Sequence, residues 1–182
     1  MKIAVYCGSQ LGVSQIFEET AYALGEQLAT DGHTIVYGGS NVGLMGAVAD
    51  AALSNGGAVI GVLPEQLKKR EIAHEKLTEL HFVESMHVRK AMMADMADAF
   101  IAYPGGVGTL DEFFEVFTWA HIGIHQKPVI LFNVAGFYDD LIRHIERMIK
   151  EGFIQPTHKN FFYIATNLEE VSAILSNNAV TQ

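Results

Sequence analysis

The sequence predicts an α/β fold in which a doubly wound parallel sheet is flanked by helices on both faces. Short apolar runs alternate along the chain with longer amphipathic segments, and glycine-rich stretches follow the second and fifth of these runs. Strands of about four to six residues that alternate with helices of ten or more are typical of βαβ units and a parallel sheet. The length of 182 residues fits one domain spanning residues 1–182.

The alternation predicts the elements in order. Buried strands are expected at residues 3–6, 34–37, 58–63, 80–83, 99–103, 128–132 and 162–165. Helices are expected at residues 16–29, 44–53, 85–95, 110–121, 138–151 and 168–175. The long charged connection at residues 64–78 is either a solvated loop or a segment that folds over a site.

The composition excludes several classes of function. The net charge is −9, with 12 Lys and Arg against 21 Asp and Glu, so a broad nucleic-acid-binding face is not expected. The composition does not exclude a small anionic ligand, since a local pocket can be positive on an acidic protein. Cys7 is the only cysteine, so no intrachain disulfide is expected. The chain shows no signal-peptide pattern and no run of about 18 apolar residues, so we expect a cytoplasmic protein without a membrane partner.

Ligands of open parallel sheets bind beyond the carboxyl ends of the strands, at a topological switch point. Cys7, Gly8 and Ser9 follow the first strand, where small residues permit close approach of a phosphate. The sequence GGSNVGLMG follows the second strand at residues 38–46 and includes Gly39. This turn could direct backbone N–H groups at an anion, or it could be a tight turn with Gly46 packing helix against sheet. It does not match the dinucleotide fingerprint.

The most informative stretch is PGGVGTLDE at residues 104–112, after the fifth strand. Its glycines expose backbone donors at a helix start, and Thr109 can donate a hydrogen bond to a phosphate oxygen. The alternative is that Thr109 and Glu112 form a capping box, which would not require the glycines. Because a second glycine-rich turn follows strand 2, we expect two adjacent sheet ends to hold one phosphate and one ribose.

Helical geometry separates the acidic residues of this stretch. Asp111 and Glu112 are consecutive, so they point about 100° apart and cannot face one ligand as a pair. Glu115 shares a face with each of them, and Thr118 lies one turn beyond Glu115 on nearly the same side.

A cationic pair lies in the apolar stripe of the helix after strand 4, in SMHVRKAMM at residues 85–93. A buried charge requires a partner. Arg89 therefore either pairs with a structural carboxylate or meets substrate oxygens or a catalytic carboxylate, and Lys90 could extend to solvent. The eight histidines form no HExxH or other compact metal pattern, so no metal site is expected.

Together these segments resemble the Lonely Guy (LOG) family of cytokinin riboside 5′-monophosphate phosphoribohydrolases, a Rossmann-like group. The family's PGGxGTxxE corresponds to residues 104–112, its GGxxxGLMG to residues 38–46 and its M-H-x-R-K to residues 86–90, and the resemblance covers roughly residues 1–175. It implies a homodimer. Members often carry an old "lysine decarboxylase" label, but no lysine here has a recognisable pyridoxal-phosphate context.

The resemblance also implies site residues. The catalytic pair would be Arg89 and Glu112. The substrate contacts would be Glu71, Lys90, Gly106, Val107, Gly108, Thr109, Leu110, Asp111 and Thr118. Asp111 replaces the glutamate frequent in the family, and Ser40 replaces a third glycine, but neither change removes a catalytic group.

The expected reaction is hydrolysis of the N-glycosidic bond of AMP or an isopentenyl-adenine nucleotide, which gives free base and ribose 5-phosphate without a metal or organic cofactor. Glu112 would stabilise the cationic sugar or direct a water to it, by analogy with glycoside hydrolysis. Phosphoryl transfer is disfavoured because GxxxxGK[ST] is missing. A non-catalytic nucleotide-binding or carrier module of the same fold is the main alternative.

Overall fold

The computed structural model describes residues 1–67, 72–154 and 162–179. Within these residues, one parallel sheet of seven strands runs in the order β4-β3-β2-β1-β5-β6-β7. The strands are β1 (Lys2–Tyr6), β2 (Thr34–Tyr37), β3 (Val59–Pro64), β4 (Glu79–Val83), β5 (Ala99–Ala102), β6 (Val129–Phe132) and β7 (Phe162–Ala165). The predicted parallel sheet is confirmed.

Helices cover both faces of the sheet, as predicted. They are α1 (Gln15–Thr30), α2 (Gly43–Ser54), α3 (Met86–Met96), α4 (Val107–His121), α5 (Asp139–Lys150) and α6 (Leu168–Ala179). One hydrophobic core joins the sheet to α1, α2 and α6, and a second core joins its other face to α3, α4 and α5. No helix within the described residues combines the length and apolar character that a membrane span requires.

The sheet reverses its winding direction between β1 and β5. Chain order runs outward from β1 through β2 and β3 to β4, and then returns to place β5 on the other side of β1. Such a switch point opens a crevice between the loops that leave the two central strands. The expectation that the ends of β2 and β5 are adjacent is wrong, because β1 lies between them. The loop that faces β5 is therefore the one containing Gly8 and Ser9.

Helix α4 begins three residues earlier than predicted, at Val107 rather than at residue 110. Gly106 is the N-cap, and its carbonyl accepts the first helical hydrogen bond from the Leu110 N–H at 3.2 Å. Thr109 is therefore the third residue of the helix and is buried. The capping-box interpretation of Thr109 and Glu112 is wrong, since a capping box needs its hydroxyl residue at the N-cap.

The described part of the long connection packs against the turn after β2. Ala73 forms an antiparallel bridge with Ser40, and the His74 N–H donates to the Gly39 carbonyl at 3.0 Å. The His74 ring is buried and bonds to Asp50 at 3.1 Å through Nε2. The described part of this connection is therefore hydrogen-bonded to the turn after β2 and is not a loop surrounded by solvent.

Candidate active site

A cavity of about 240 Å³ opens at the switch point. Its walls come from the end of β1 and the following loop, the end of β2, one side of α3 and the first two turns of α4. Predicted site residues that line it are Gly8, Ser9, Arg89, Gly106, Val107, Gly108, Thr109 and Glu112. Four segments far apart in sequence thus contribute to one site.

The start of α4 offers unused backbone donors to this cavity. Within the described residues, no oxygen accepts a hydrogen bond from the N–H groups of Val107, Gly108 or Thr109. A side-chain Cβ added at Gly106 or Gly108 would meet nothing within 4 Å, so packing does not explain these two glycines. Open amides at the positive end of a helix dipole form an anion-binding site. The geometry therefore suits a phosphate at this helix start.

Glycine at position 105 has a different purpose. A Cβ there would lie 2.1 Å from the Thr109 Oγ1 and 2.8 Å from the Gly8 nitrogen. The Gly8 N–H donates to the Pro104 carbonyl at 3.1 Å, which ties the two central loops together. Gly105 therefore lets the loops after β1 and β5 touch, next to Gly8 and Gly106, which line the cavity.

Glu112 and Asp111 diverge as helical geometry predicts. The Glu112 side chain is half-buried and lines the cavity, whereas Asp111 points to the outer side of α4. There, Asp111 and Glu115 each lie 3.0 Å from the Lys90 Nζ. The predicted shared face of Asp111 and Glu115 is confirmed, and a single carboxylate of this group remains on the cavity.

Lys90 links α3 to α4 through ion pairs. Its side chain is 11% exposed, so it does not extend to solvent. Burial lowers the pKa of Lys90, but the hydrogen bonds that its ammonium donates to Asp111 and Glu115 outweigh this and raise the pKa above its ordinary value. The ammonium is therefore held in its charged form between two carboxylates that flank Glu112 on the helix.

Arg89 is buried and donates hydrogen bonds to backbone carbonyls at the ends of two strands. Its Nε donates to the Val62 carbonyl at 3.1 Å, and its Nη2 donates to the Gly38 carbonyl at 3.2 Å. It forms no ion pair with any carboxylate of the described residues, so the structural carboxylate partner considered above is not found. A guanidinium carries five donors in a rigid fork. Since Arg89 also lines the cavity, this anchoring presents a fixed positive charge to a ligand.

Gly38 makes room for this guanidinium. A Cβ at position 38 would lie 1.9 Å from the Arg89 Nη2. Any larger residue would therefore push Arg89 away from the strand ends.

The rest of the glycine-rich turn after β2 supports the site from behind. The Leu44 and Met45 N–H groups donate to the Gly8 carbonyl at 3.1 and 3.3 Å. These two backbone donors are therefore already used and do not serve an anion at this turn. Gly46 approaches the backbone of Asn41, where a Cβ would lie 2.2 Å from the carbonyl oxygen. The close contact of Gly46 therefore lies within the turn itself. It does not lie between helix and sheet, the alternative that the sequence analysis gave for Gly46.

Some predicted residues lie outside the cavity. Gly39 has a φ of +78° and packs beside Leu63 and Leu80, away from the cavity that Gly38 lines. Lys90, Leu110, Asp111 and Thr118 line a shallower hollow on the outer side of α4. Glu71 lies outside the described residues.

The cavity also contains residues that sequence analysis did not select. Tyr6, Met45 and Met86 line it together with Gly38. Tyr6 is the last residue of the first strand, a position that predicts a site residue. It also belongs to an apolar run, and this pattern predicts a core residue instead. Three or more His, Cys, Asp or Glu side chains do not gather into a candidate metal site anywhere in residues 1–67, 72–154 and 162–179.

Known sequences match this chain over most of its length. A family model described as "Possible lysine decarboxylase" matches residues 45–175. A cytokinin riboside 5′-monophosphate phosphoribohydrolase of Rhodococcoides fascians is 45% identical over 174 residues, which cover 95% of this chain and 88% of that protein. An Arabidopsis thaliana enzyme of the same name is 47% identical over 170 residues, covering 93% of this chain and 78% of the relative.

Solved structures share the architecture. The crystal structure of the protein TM1055 superposes with a TM-score of 0.76 at 23% identity, covering 97% of this chain and 98% of the other. A Moco carrier protein from Chlamydomonas reinhardtii superposes with a TM-score of 0.75 at 19% identity, covering 100% and 98%. At these identities the likeness establishes the fold alone.

Proposed function

We propose a hydrolytic function for this chain, which belongs to the LOG family of cytokinin riboside 5′-monophosphate phosphoribohydrolases. The reaction is cleavage of the N-glycosidic bond of a purine or cytokinin nucleoside 5′-monophosphate, which releases free base and ribose 5-phosphate. The observation that carries the proposal is the arrangement of unused amides at the start of α4 and a single carboxylate, Glu112, in one cavity. The first group suits a phosphate, and the second suits a developing positive charge.

The 5′-phosphate binds at the first turn of α4. The N–H groups of Val107, Gly108 and Thr109 donate to its oxygens, and the helix dipole favours its charge. The absence of side chains at Gly106 and Gly108 allows the phosphate to approach the backbone. Ser9, on the facing loop, is the other hydroxyl that lines this end of the cavity together with Thr109.

Glu112 faces the sugar. Cleavage of the bond between base and ribose builds positive charge at the anomeric carbon, and a fixed carboxylate lowers the energy of that state. The same carboxylate can accept a proton from the attacking water. Arg89, anchored to the ends of β2 and β3, contributes a fixed cation that contacts substrate oxygens in the same cavity. Glu71, taken over from the family resemblance, is assigned to the leaving base.

A product assay tests the proposal directly. Purified protein is incubated with AMP and with isopentenyl-adenine nucleotide, and the mixture is analysed for free base, ribose 5-phosphate and inorganic phosphate. We expect base and ribose 5-phosphate in equal amounts. Inorganic phosphate with intact nucleoside would instead indicate phosphoryl chemistry, and intact nucleotides after hours would favour the carrier alternative. The ratio of the two rates identifies the preferred base.

The phosphate site makes a prediction in which stability and binding change in opposite directions. Gly108→Ala places a methyl group in open space at the helix start. We expect the free energy of unfolding to rise by about 0.5 kcal/mol, because alanine is the better helix former. We expect AMP to bind roughly 10- to 100-fold more weakly, because displacing the phosphate weakens charge-assisted hydrogen bonds. Chemical denaturation and calorimetric titration measure the two effects, and unchanged AMP affinity would exclude a phosphate at this turn.

We also propose that the chain forms a homodimer. Ile122 and Ile124, two residues apart just after α4, are 61% and 63% exposed, and contiguous exposed apolar surface is typical of association sites. We expect light scattering to give a dimer mass for the natural protein and a monomer mass for Ile122→Asp combined with Ile124→Asp. Phe153→Asp, at an exposed apolar residue after α5, is the matched control and should remain dimeric. A monomeric natural protein would refute the proposal.

A cytoplasmic location completes the proposed function. Cys7 is buried beside the cavity as a free thiol, and burial raises its pKa above the ordinary value. Cys7 is also the single cysteine of the sequence, so no intrachain disulfide can form, which is compatible with a reducing compartment.

A further inference from the structure

The hydroxyl of Tyr6 is a polar group that the mechanism above does not use. Tyr6 ends β1 and is only 3% exposed, and its ring stacks against Phe100 with centroids 6.2 Å apart. No described residue forms a hydrogen bond with its hydroxyl. The oxygen is not sealed in the core, as the hydroxyl of Tyr37 is, and Tyr6 lines the cavity. A buried phenol whose oxygen has no partner among the described residues thus contributes to the wall of the site.

The charges around this phenol keep it protonated. Burial raises the pKa of Tyr6 well above its ordinary value, and the carboxylates of Glu112 and Glu115 raise it further, whereas Arg89 acts in the opposite direction. At neutral pH the group is therefore a hydrogen-bond donor. Tyr6 and Glu112 also line the same cavity.

The two groups complement each other chemically. An ionised carboxylate only accepts hydrogen bonds, whereas a protonated phenol can donate one. A pair of neighbouring sugar hydroxyls satisfies both, because one hydroxyl donates to the carboxylate while the other accepts from the phenol. A phosphate is not a suitable partner so close to a carboxylate, since the two anions would repel each other.

The position along α4 agrees with a sugar diol. Glu112 lies four residues beyond Gly108, which corresponds to about 6 Å along the helix axis. The phosphate therefore sits at the first turn, and the sugar extends along the helix toward Glu112. Tyr6, at the end of the central strand β1, faces the sugar from the sheet side.

We propose that the Tyr6 hydroxyl donates a hydrogen bond to one of the two ribose hydroxyls of the bound nucleotide, and so makes the site favour AMP over the deoxy analogue that lacks that hydroxyl. This inference rests on the proposed function, because it takes the ligand to be a nucleoside 5′-monophosphate.

The test combines Tyr6→Phe with substrates that lack one hydroxyl. The substitution removes a single oxygen and leaves no described residue without a partner. We expect kcat/KM for AMP to fall about 3- to 10-fold, the effect of one neutral hydrogen bond. For either 2′-deoxy-AMP or 3′-deoxy-AMP, whichever lacks the contacted hydroxyl, the ratio of natural to variant kcat/KM should be near one. An equal loss on all three nucleotides, or no loss on AMP, would overturn the proposal.

Two controls separate this result from unrelated effects. Tyr22→Phe, at a half-exposed position on α1, should leave all three rates unchanged. If the natural protein releases no base from AMP, the proposed function fails, but the Tyr6 contact can still be measured. Calorimetric affinities of the natural protein and Tyr6→Phe for the three nucleotides should then show the same pattern, and identical loss for all three would reject the contact.

Discussion

Glu112→Gln is expected to lower kcat for AMP hydrolysis by about 10²- to 10⁴-fold while AMP affinity stays within a few-fold of the natural value. The substitution preserves the size of the side chain and removes its charge. In the proposed binding mode the amides of α4 hold most of the ground-state nucleotide, and the substitution does not touch them. The cationic sugar, in contrast, loses the one carboxylate among the Asp111, Glu112 and Glu115 group that lines the cavity. The effect should therefore appear in the chemical step.

Single-turnover rates and calorimetric affinity for AMP measure the two quantities separately. Glu146→Gln, on the exposed side of α5, makes the same chemical change away from the cavity and should retain full activity. Nearly full activity of Glu112→Gln would remove the central step of the mechanism.

The fold could be predicted because its signals are local. Short, mostly apolar runs alternate with longer segments along the chain, so the seven strands and six helices of the described residues follow from the pattern. The start of α4 was missed by three residues because glycine is a poor helix former, and a glycine-rich stretch therefore resembles a loop. The unused amides on which the proposed phosphate site depends are the result of this early start.

The purpose of the individual glycines could not be predicted, because it depends on contacts between distant segments. Gly38 and Gly108 look alike in the sequence. In the structure one accommodates a guanidinium from a residue 51 positions away, whereas the other borders open space. The same limitation applies to Lys90, which the family resemblance assigns to the substrate and the structure places between two carboxylates.

Arg89 is the second position at which a large effect is expected. Arg89→Met keeps the length of the side chain but removes the positive charge and the donors to the Val62 and Gly38 carbonyls. We expect kcat/KM for AMP to fall by about 10²- to 10³-fold, the cost of removing one preorganised charged donor from a site. We also expect a loss of about 2 kcal/mol in the free energy of unfolding, because two carbonyl groups lose their partner. Arg89→Lys should recover stability more than activity, since an ammonium cannot reproduce the planar fork.

Gly38→Ala tests the same contact from the other side without altering Arg89 itself. The added methyl group would occupy the position of the guanidinium, so we expect a loss of activity of about 10²-fold, as a misplaced catalytic group produces. Gly25→Ala is the matched control, because its Cβ would collide with the Val48 carbonyl between α1 and α2 and should reduce stability without reducing activity per folded molecule. If Gly38 acts only through Arg89, then Gly38→Ala should have little further effect in the Arg89→Met background. Fully additive losses in the double variant would show instead that Gly38 affects the site independently of Arg89. The need to accommodate the guanidinium would then not explain the glycine at position 38.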